Sequence, residues 1–173
     1  MLEQGHLIGN YEIVAPIAGG GMGVVYVAEQ KMIGREVALK VMGRNPAHQT
    51  SWIGRFLIEA RAIAQLRSVH TVTIYDFGIT DDGLLFYTME LLQGETLSSL
   101  LGRNGPMSVG HAVPLILQCL ESLEEAHEHD ILHGDVKPAN LFVSQFKNEP
   151  HITVLDFGLA MLGQSDTKEG GSG

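Results

Sequence analysis

The sequence predicts an α+β fold in which an antiparallel, strand-rich first half is followed by a helical second half, and three observations point there. Short apolar, β-branched runs separated by glycine-bearing turns fill residues 11–42 and 72–89. A segment of helical period, Thr50 to Leu66, interrupts them. A longer helical period begins after Ser108 and gives way to two short apolar runs.

Taken in order, Tyr11-Glu12-Ile13-Val14, Val24 to Val27 and Glu36 to Val41 read as strands, with residues 1–10 as an N-terminal extension. In the next segment Ile53, Phe56, Leu57, Ala60, Ile63 and Ala64 share one side, while Arg55, Glu59, Arg61 and Gln65 fall mostly off it. That is an amphipathic helix, entered by Thr50 or Ser51 as N-cap. Val72 to Phe77 and Leu84 to Met89 follow as strands joined across Asp81-Asp82-Gly83, which has hairpin-turn chemistry. Five strands and one helix therefore occupy the first half. After a polar break at Gln93-Gly94-Glu95, Ser108 can cap a helix carrying Val109, Val113, Ile116, Leu117, Leu120 and Leu123 at helical spacing. Pro114 is tolerable near its first turns. A loop over 131–140 leads to short strands at Leu141 to Val143 and Ile152 to Leu155, and the tail Gly163 to Gly173 has no core-forming residue.

The chain has 173 residues, 45% of them apolar and 18% charged, which suits a globular domain and excludes whole-chain disorder. Lys and Arg number 11 against 20 Asp and Glu, a net charge of −9. So few cations argue against a surface that tracks nucleic-acid phosphates or an anionic membrane. Cys119 is the only cysteine, so neither an intrachain disulfide nor a Cys-rich zinc site can form, as expected of a reducing cytoplasm. Met1-Leu2-Glu3 opens with an acid where a secretory leader has a basic start, and the longest apolar stretch, Ala112 to Leu117, is far below the length expected of a membrane span. The expectation is a cytoplasmic protein.

Four segments could carry chemistry. Ile17-Ala18-Gly19-Gly20-Gly21-Met22-Gly23-Val24-Val25 sets glycines between two strands, where backbone N–H groups can approach a phosphate without Cβ clashes or simply make a flexible turn. No Gly-Lys-Ser/Thr follows, so this is not a P-loop. Lys40 is a cation inside the apolar strand Val37 to Val41, open to a snorkelling role or to an ion pair with Glu59 of the following helix, itself otherwise a solvated residue. His133-Gly134-Asp135-Val136-Lys137-Pro138-Ala139-Asn140 places an acid, a cation and an amide within six positions. A carboxylate there could accept a hydroxyl proton, the lysine could hold a transferring phosphoryl group, and the amide could coordinate a divalent metal. Asp156-Phe157-Gly158 follows an apolar run and puts a carboxylate where it could take Mg²⁺. The same tripeptide at Asp76-Phe77-Gly78 precedes the Asp135 loop, and Asp76 reads as a turn residue at a strand end. His127, His129 and His133 cluster, but Ile131 stands where a His-Glu-x-x-His zinc motif needs histidine.

The order Gly-rich hairpin, strand Lys, helix Glu, H-x-D-x-K-x-x-N and D-F-G resembles the eukaryotic-type (Hanks-type) protein kinases from about Tyr11 to Met161. Asp-Val-Lys-Pro-Ala-Asn is similar to the serine/threonine kinases, and Gly-Gly-Met-Gly-Val-Val-Tyr to their bacterial branch. The resemblance implies a bilobal kinase-like fold: small lobe and hinge over 11–92, part of a helical large lobe over 93–162, and a tail at 163–173. It implies ATP and Mg²⁺ as cofactors and a protein serine or threonine as acceptor. Under it, the hairpin from Ile17 to Val25 covers the nucleotide, and Lys40 contacts the α- and β-phosphates and pairs with Glu59. Asp135 is the base, Lys137 steadies the γ-phosphate, and Asn140 and Asp156 hold the metal. Ala38 and Phe142 sandwich the adenine, Met89 guards the back pocket, and Glu90 to Leu92 form the hinge.

Three departures stand out. Ala18 replaces the first glycine of G-x-G-x-x-G, and Gly134 replaces the arginine that most members use to read an activation-loop phosphate. After Gly158 only fifteen residues follow, without A-P-E, so a fragment is expected, with roughly 100 residues of a domain missing and the stripe of the long helix partly exposed. The competing reading is a non-catalytic nucleotide-binding or interaction module.

Overall fold

The computed structural model describes residues 1–20, 23–42, 54, 58, 60–146 and 149–157. They belong to two compact units, one formed by Met1–Ile58 with Thr73–Leu92 and the other by Glu59–Val72 with Gln93–Gly173.

The first unit is built on a six-stranded antiparallel sheet: β1 (Leu7–Ile8), β2 (Tyr11–Gly20), β3 (Gly23–Gln30), β4 (Arg35–Val41), β5 (Ile74–Ile79) and β6 (Leu85–Met89). Their order is β1-β2-β3-β4-β6-β5. The extra strand lies in residues 1–10: Leu7 pairs with Glu12 and Ile8 with Tyr11, and Ile8 is buried. β2 runs past the expected Val14 to Gly20 by absorbing bulges between Ile13 and Ala15 and between Pro16 and Ala18. A bulge is where a strand tolerates a proline that cannot donate to the ladder. The core follows the pleat. Tyr26, Ala28, Val37 and Leu39 alternate inward and pack with Ile8, Tyr11, Ile13 and Phe86. Gly23, at φ 136°, has no room for a side chain, since a Cβ there would lie 2.2 Å from Val41 O. Asp76 is not a turn residue: it lies inside β5 beside a bulge, where its Oδ2 accepts from the buried Tyr11 hydroxyl at 3.1 Å.

The second unit holds a three-stranded sheet, β7 (Glu95–Thr96), β8 (Leu141–Phe146) and β9 (Glu149–Val154), in that order. It is accompanied by α1 (Leu97–Asn104) and α2 (Val109–Glu128). α1 was not expected. Its signals are local: the Thr96 side chain accepts from Ser99 N–H at the N-cap, and Gly105 at φ 78° closes the C-terminus. Ser108 does begin α2, but its hydroxyl bonds the His111 ring instead of a backbone N–H. Pro114 is accommodated within the helix. The buried face of α2 is Leu115, Cys119, Ser122 and Ala126, packed on β9, whereas Val109, Val113, Ile116, Leu117 and Leu120 are exposed. Of the helix expected over Thr50 to Leu66, residues 60–63 are helical, with Ala60 and Ile63 buried, and turns follow at 64–65. Ala64, expected on the apolar side, is exposed. Glu59 and most of the preceding segment lie outside the described residues, as does the tail from Gly158.

Candidate active site

In the first unit the sheet register gathers several of the expected residues. Ala18 pairs with Val25, Val25 with Lys40, and Lys40 with Tyr87, while the next rank holds Val27, Ala38 and Met89. Because side chains alternate along a strand, Ala38 and Lys40 share the face opposite Val37 and Leu39. Lys40 is 8% exposed, its ammonium 5.8 Å from the Tyr87 ring centroid, a cation–π distance that partly offsets burial of the charge. Ile17, Ala18 and Gly19 are exposed and Val24 is half-buried. A Cβ at Gly19 would meet only ordinary contact, 3.8 Å from Val24, so space does not demand glycine there. Gly20 ends β2, whereas Gly21, Met22 and Glu59, the expected partner of Lys40, lie outside the described residues. Glu90, expected in the hinge with Leu92, is bound twice to Thr73: its carboxylate accepts Thr73 N–H at 2.9 Å and its own N–H donates to Thr73 O at 3.0 Å.

In the second unit a proline-bent loop converges on Asp135. Pro138–Asn140 form one 3₁₀ turn, which aims Asn140 back at the start of the loop. Lys137 Nζ donates to Asp135 Oδ2 at 2.6 Å, and Asn140 Nδ2 donates to the same oxygen at 3.1 Å and to the Asp135 carbonyl at 2.8 Å. The hydrogen bond from the Lys137 ammonium, aided by Asn140, holds the Asp135 carboxyl below the usual carboxylate range, so it is an anion at neutral pH. Asn140, 8% exposed, spends its NH₂ on Asp135, so its Oδ1 carbonyl is the atom that could take a cation. Its backbone oxygen accepts Leu155 N–H at 2.9 Å, which ties the loop to the residue preceding Asp156. Asp156 has φ 56°, a left-handed conformation uncommon for a residue with a Cβ. Gly134 takes φ 74°, which glycine adopts without strain. Phe142 pairs with Thr96 and Thr153 and is half-buried.

His133 matters more than its sequence suggests. Its Nε2–H donates to Leu155 O at 2.8 Å, its Nδ1 accepts Asp135 N–H at 3.2 Å, and its ring lies 4.7 Å from that of Phe157. One buried imidazole thus braces both carboxylate-bearing segments. The available signal was its place two residues before Asp135, not its neighbours His127 and His129, both of which are exposed.

The protein kinase domain family matches residues 11–170. The chain belongs to that family. Curated relatives include serine/threonine-protein kinase pkn3 of Myxococcus xanthus, 36% identical over 157 residues that cover 90% of this chain and 29% of that protein. Serine/threonine-protein kinase PrkC of Bacillus subtilis is 36% identical over 167 residues, 96% of this chain and 25% of that protein. The chain therefore spans between a quarter and three tenths of the length of these relatives. Among solved structures, the PknI kinase domain of Mycobacterium tuberculosis superposes with a TM-score of 0.81 at 27% identity, over 92% of this chain and 64% of that one. The α+β kinase fold is thus established. No helix among the described residues is long and apolar enough to cross a membrane.

Proposed function

We propose that this kinase domain serves ATP- and Mg²⁺-dependent phosphoryl transfer to a serine or threonine hydroxyl of a protein. The observation that carries the reading is the Asp135 cluster: an anionic carboxylate in contact with one ammonium and one amide, joined through Asn140 and Leu155 to a second carboxylate at Asp156. Asp135 takes the proton of the attacking hydroxyl as the new oxygen–phosphorus bond forms and the bond to the β-phosphate oxygen breaks, releasing ADP. Lys137, now on Asp135, is a cation that can move to the transferring group and leave the carboxylate unencumbered. Asn140 Oδ1 and the Asp156 carboxylate are the hard oxygen donors that Mg²⁺ takes, and the bound ion would neutralise charge on the phosphates. In this reading Lys40 serves the α- and β-phosphates and pairs with Glu59, Ala38 and Phe142 flank the adenine, Met89 lines the back of its pocket, and Glu90 to Leu92 form the hinge. Residues 11–92 are the small lobe and hinge, 93–162 belong to the large lobe and 163–173 start the activation segment. A net charge of −9 argues against a nucleic-acid partner, and a single cysteine suits a reducing cytoplasm.

The test is labelled-phosphate transfer from ATP to a generic protein substrate, alongside titration of a fluorescent ATP analogue. Asp135→Asn should lower transfer on the order of 10²-fold or more with nucleotide affinity intact, because it removes the proton acceptor. Equal transfer by both forms refutes the role of Asp135. Nucleotide binding without any transfer in either form points instead to a non-catalytic nucleotide-binding module.

A further inference from the structure

Beside its buried face, the long helix α2 carries a polar stripe that meets the neighbouring segments. Gln118, Glu121, Ser122 and Glu125 recur at helical spacing, and each bonds a strand or segment beside it. Gln118 accepts Ile152 N–H at 2.7 Å and donates to Pro150 O at 3.2 Å, both on β9. Ser122, fully buried, shares a 2.7 Å hydrogen bond with the Thr71 hydroxyl. Glu121 Oε2 lies 3.5 Å from His70 Nε2. Glu125 accepts two successive backbone N–H groups, Arg67 at 2.6 Å and Ser68 at 2.7 Å. A carboxylate that takes two amides makes charge-assisted bonds, stronger than neutral ones.

The segment so held lies along the free edge of β9 as a parallel bridge at Thr71 and Val154. His70 O accepts Val154 N–H at 2.8 Å, Val72 N–H donates to Val154 O at 3.1 Å, and His70 Nδ1–H donates to Ile152 O at 2.9 Å. His151 answers by donating to Val69 O at 3.0 Å. Residue 154 is therefore fixed by this segment, and residue 155 by Asn140 and His133. The next residue is Asp156, whose positive φ persists in a non-glycine residue only where its surroundings over-determine it.

We propose that Glu125 is a positioning residue for Asp156: by anchoring the backbone at 67–68 to α2, it holds the segment that locks the end of β9 and so presents the Asp156 carboxylate. This rests on the reading of Asp156 and Asn140 as the Mg²⁺ ligands. The anchor acts on the metal ligand and not on nucleotide contacts, so its loss should appear as lost Mg²⁺ dependence and not as lost nucleotide affinity.

The experiment measures affinity of a fluorescent ATP analogue with and without Mg²⁺, together with hydrogen exchange at the Val154 amide. In the wild-type chain Mg²⁺ should tighten binding, and Asp156→Asn should abolish that gain. Glu125→Ala should reduce the gain on the order of tenfold, the factor that corresponds to about 1.4 kcal/mol. Its metal-free affinity should stay unchanged while exchange at Val154 accelerates. Glu125→Gln, which keeps one acceptor oxygen, should fall between. A gain lost in Asp156→Asn but kept in Glu125→Ala overturns the proposal alone. No gain in the wild-type chain overturns the metal reading and this proposal with it. Should Glu125→Ala not fold, Thr71→Val removes the Ser122 bond at constant shape: it should lower the gain in the same direction, and an unchanged gain overturns the proposal.

Discussion

Replacing His133 with alanine tests whether one imidazole braces the candidate site. The side chain is 2% exposed and makes two hydrogen bonds, to Leu155 O at 2.8 Å and from Asp135 N–H at 3.2 Å. Each is worth about 1 kcal/mol net, and a buried group left unpaired costs about 1–3 kcal/mol. Leu155 and Asp135 are half-buried, so water can partly replace the lost partner and each loss falls at the low end. Lost packing on the Phe157 ring adds about 0.5–1.5 kcal/mol. The sum is about 2–4 kcal/mol, a large share of the roughly 5–15 kcal/mol that holds a domain together. His133→Phe keeps a ring against Phe157 but loses both hydrogen bonds, so it should recover about 1 kcal/mol of the alanine loss. Urea denaturation of the three forms, with a shared slope, measures the differences. An alanine variant within about 0.5 kcal/mol of wild type would show that these contacts are incidental, since surface substitutions alone scatter that far.

Three further outcomes follow from the geometry. Gly94→Ala should lower the melting temperature clearly, because at φ 146° its Cβ would lie 2.2 Å from Val143 O, a backbone atom that cannot swing aside; an unchanged melt refutes this. Lys40→Met should weaken Mg·ATP binding by about 1.5–3 kcal/mol through loss of a charge-assisted contact, and a titration giving equal affinities removes Lys40 from the nucleotide site. The Asp135 carboxyl is held below its usual range by Lys137, so its contribution to stability is complete above the unfolded carboxylate value near ~3.9 and is lost as pH falls through the lower folded value. Denaturation between neutral and acidic pH should therefore show a falling limb that is shallower in Asp135→Asn, and identical limbs refute the linkage.

The strands of the first unit were legible because their signal is local. Period-two alternation around Val24 to Val41 places Tyr26, Ala28, Val37 and Leu39 on one face whatever else the chain does. The motif residues were legible for the same reason, since Asp135, Lys137 and Asn140 lie within one short loop and meet through contacts two to five residues apart. The unexpected α1 is also written locally, in the Thr96 cap and Gly105, but Leu97, Leu100 and Leu101 are too few for a helical period to stand out in eight residues. Which face of α2 turns inward could not be read that way. Its strongest apolar stripe points outward, while Gln118 and Glu125 bond backbone groups of β9 and of residues 67–68, and Ser122 bonds the Thr71 hydroxyl. Hydrophobic periodicity weighs apolar side chains alone, and here the deciding partners are polar groups, mostly backbone N–H and C=O, of segments tens of residues away, whose need for satisfaction exists only once the chain has folded. The double role of His133 and the positive φ of Asp156 belong to that same class, because each is imposed by neighbours that tertiary structure supplies.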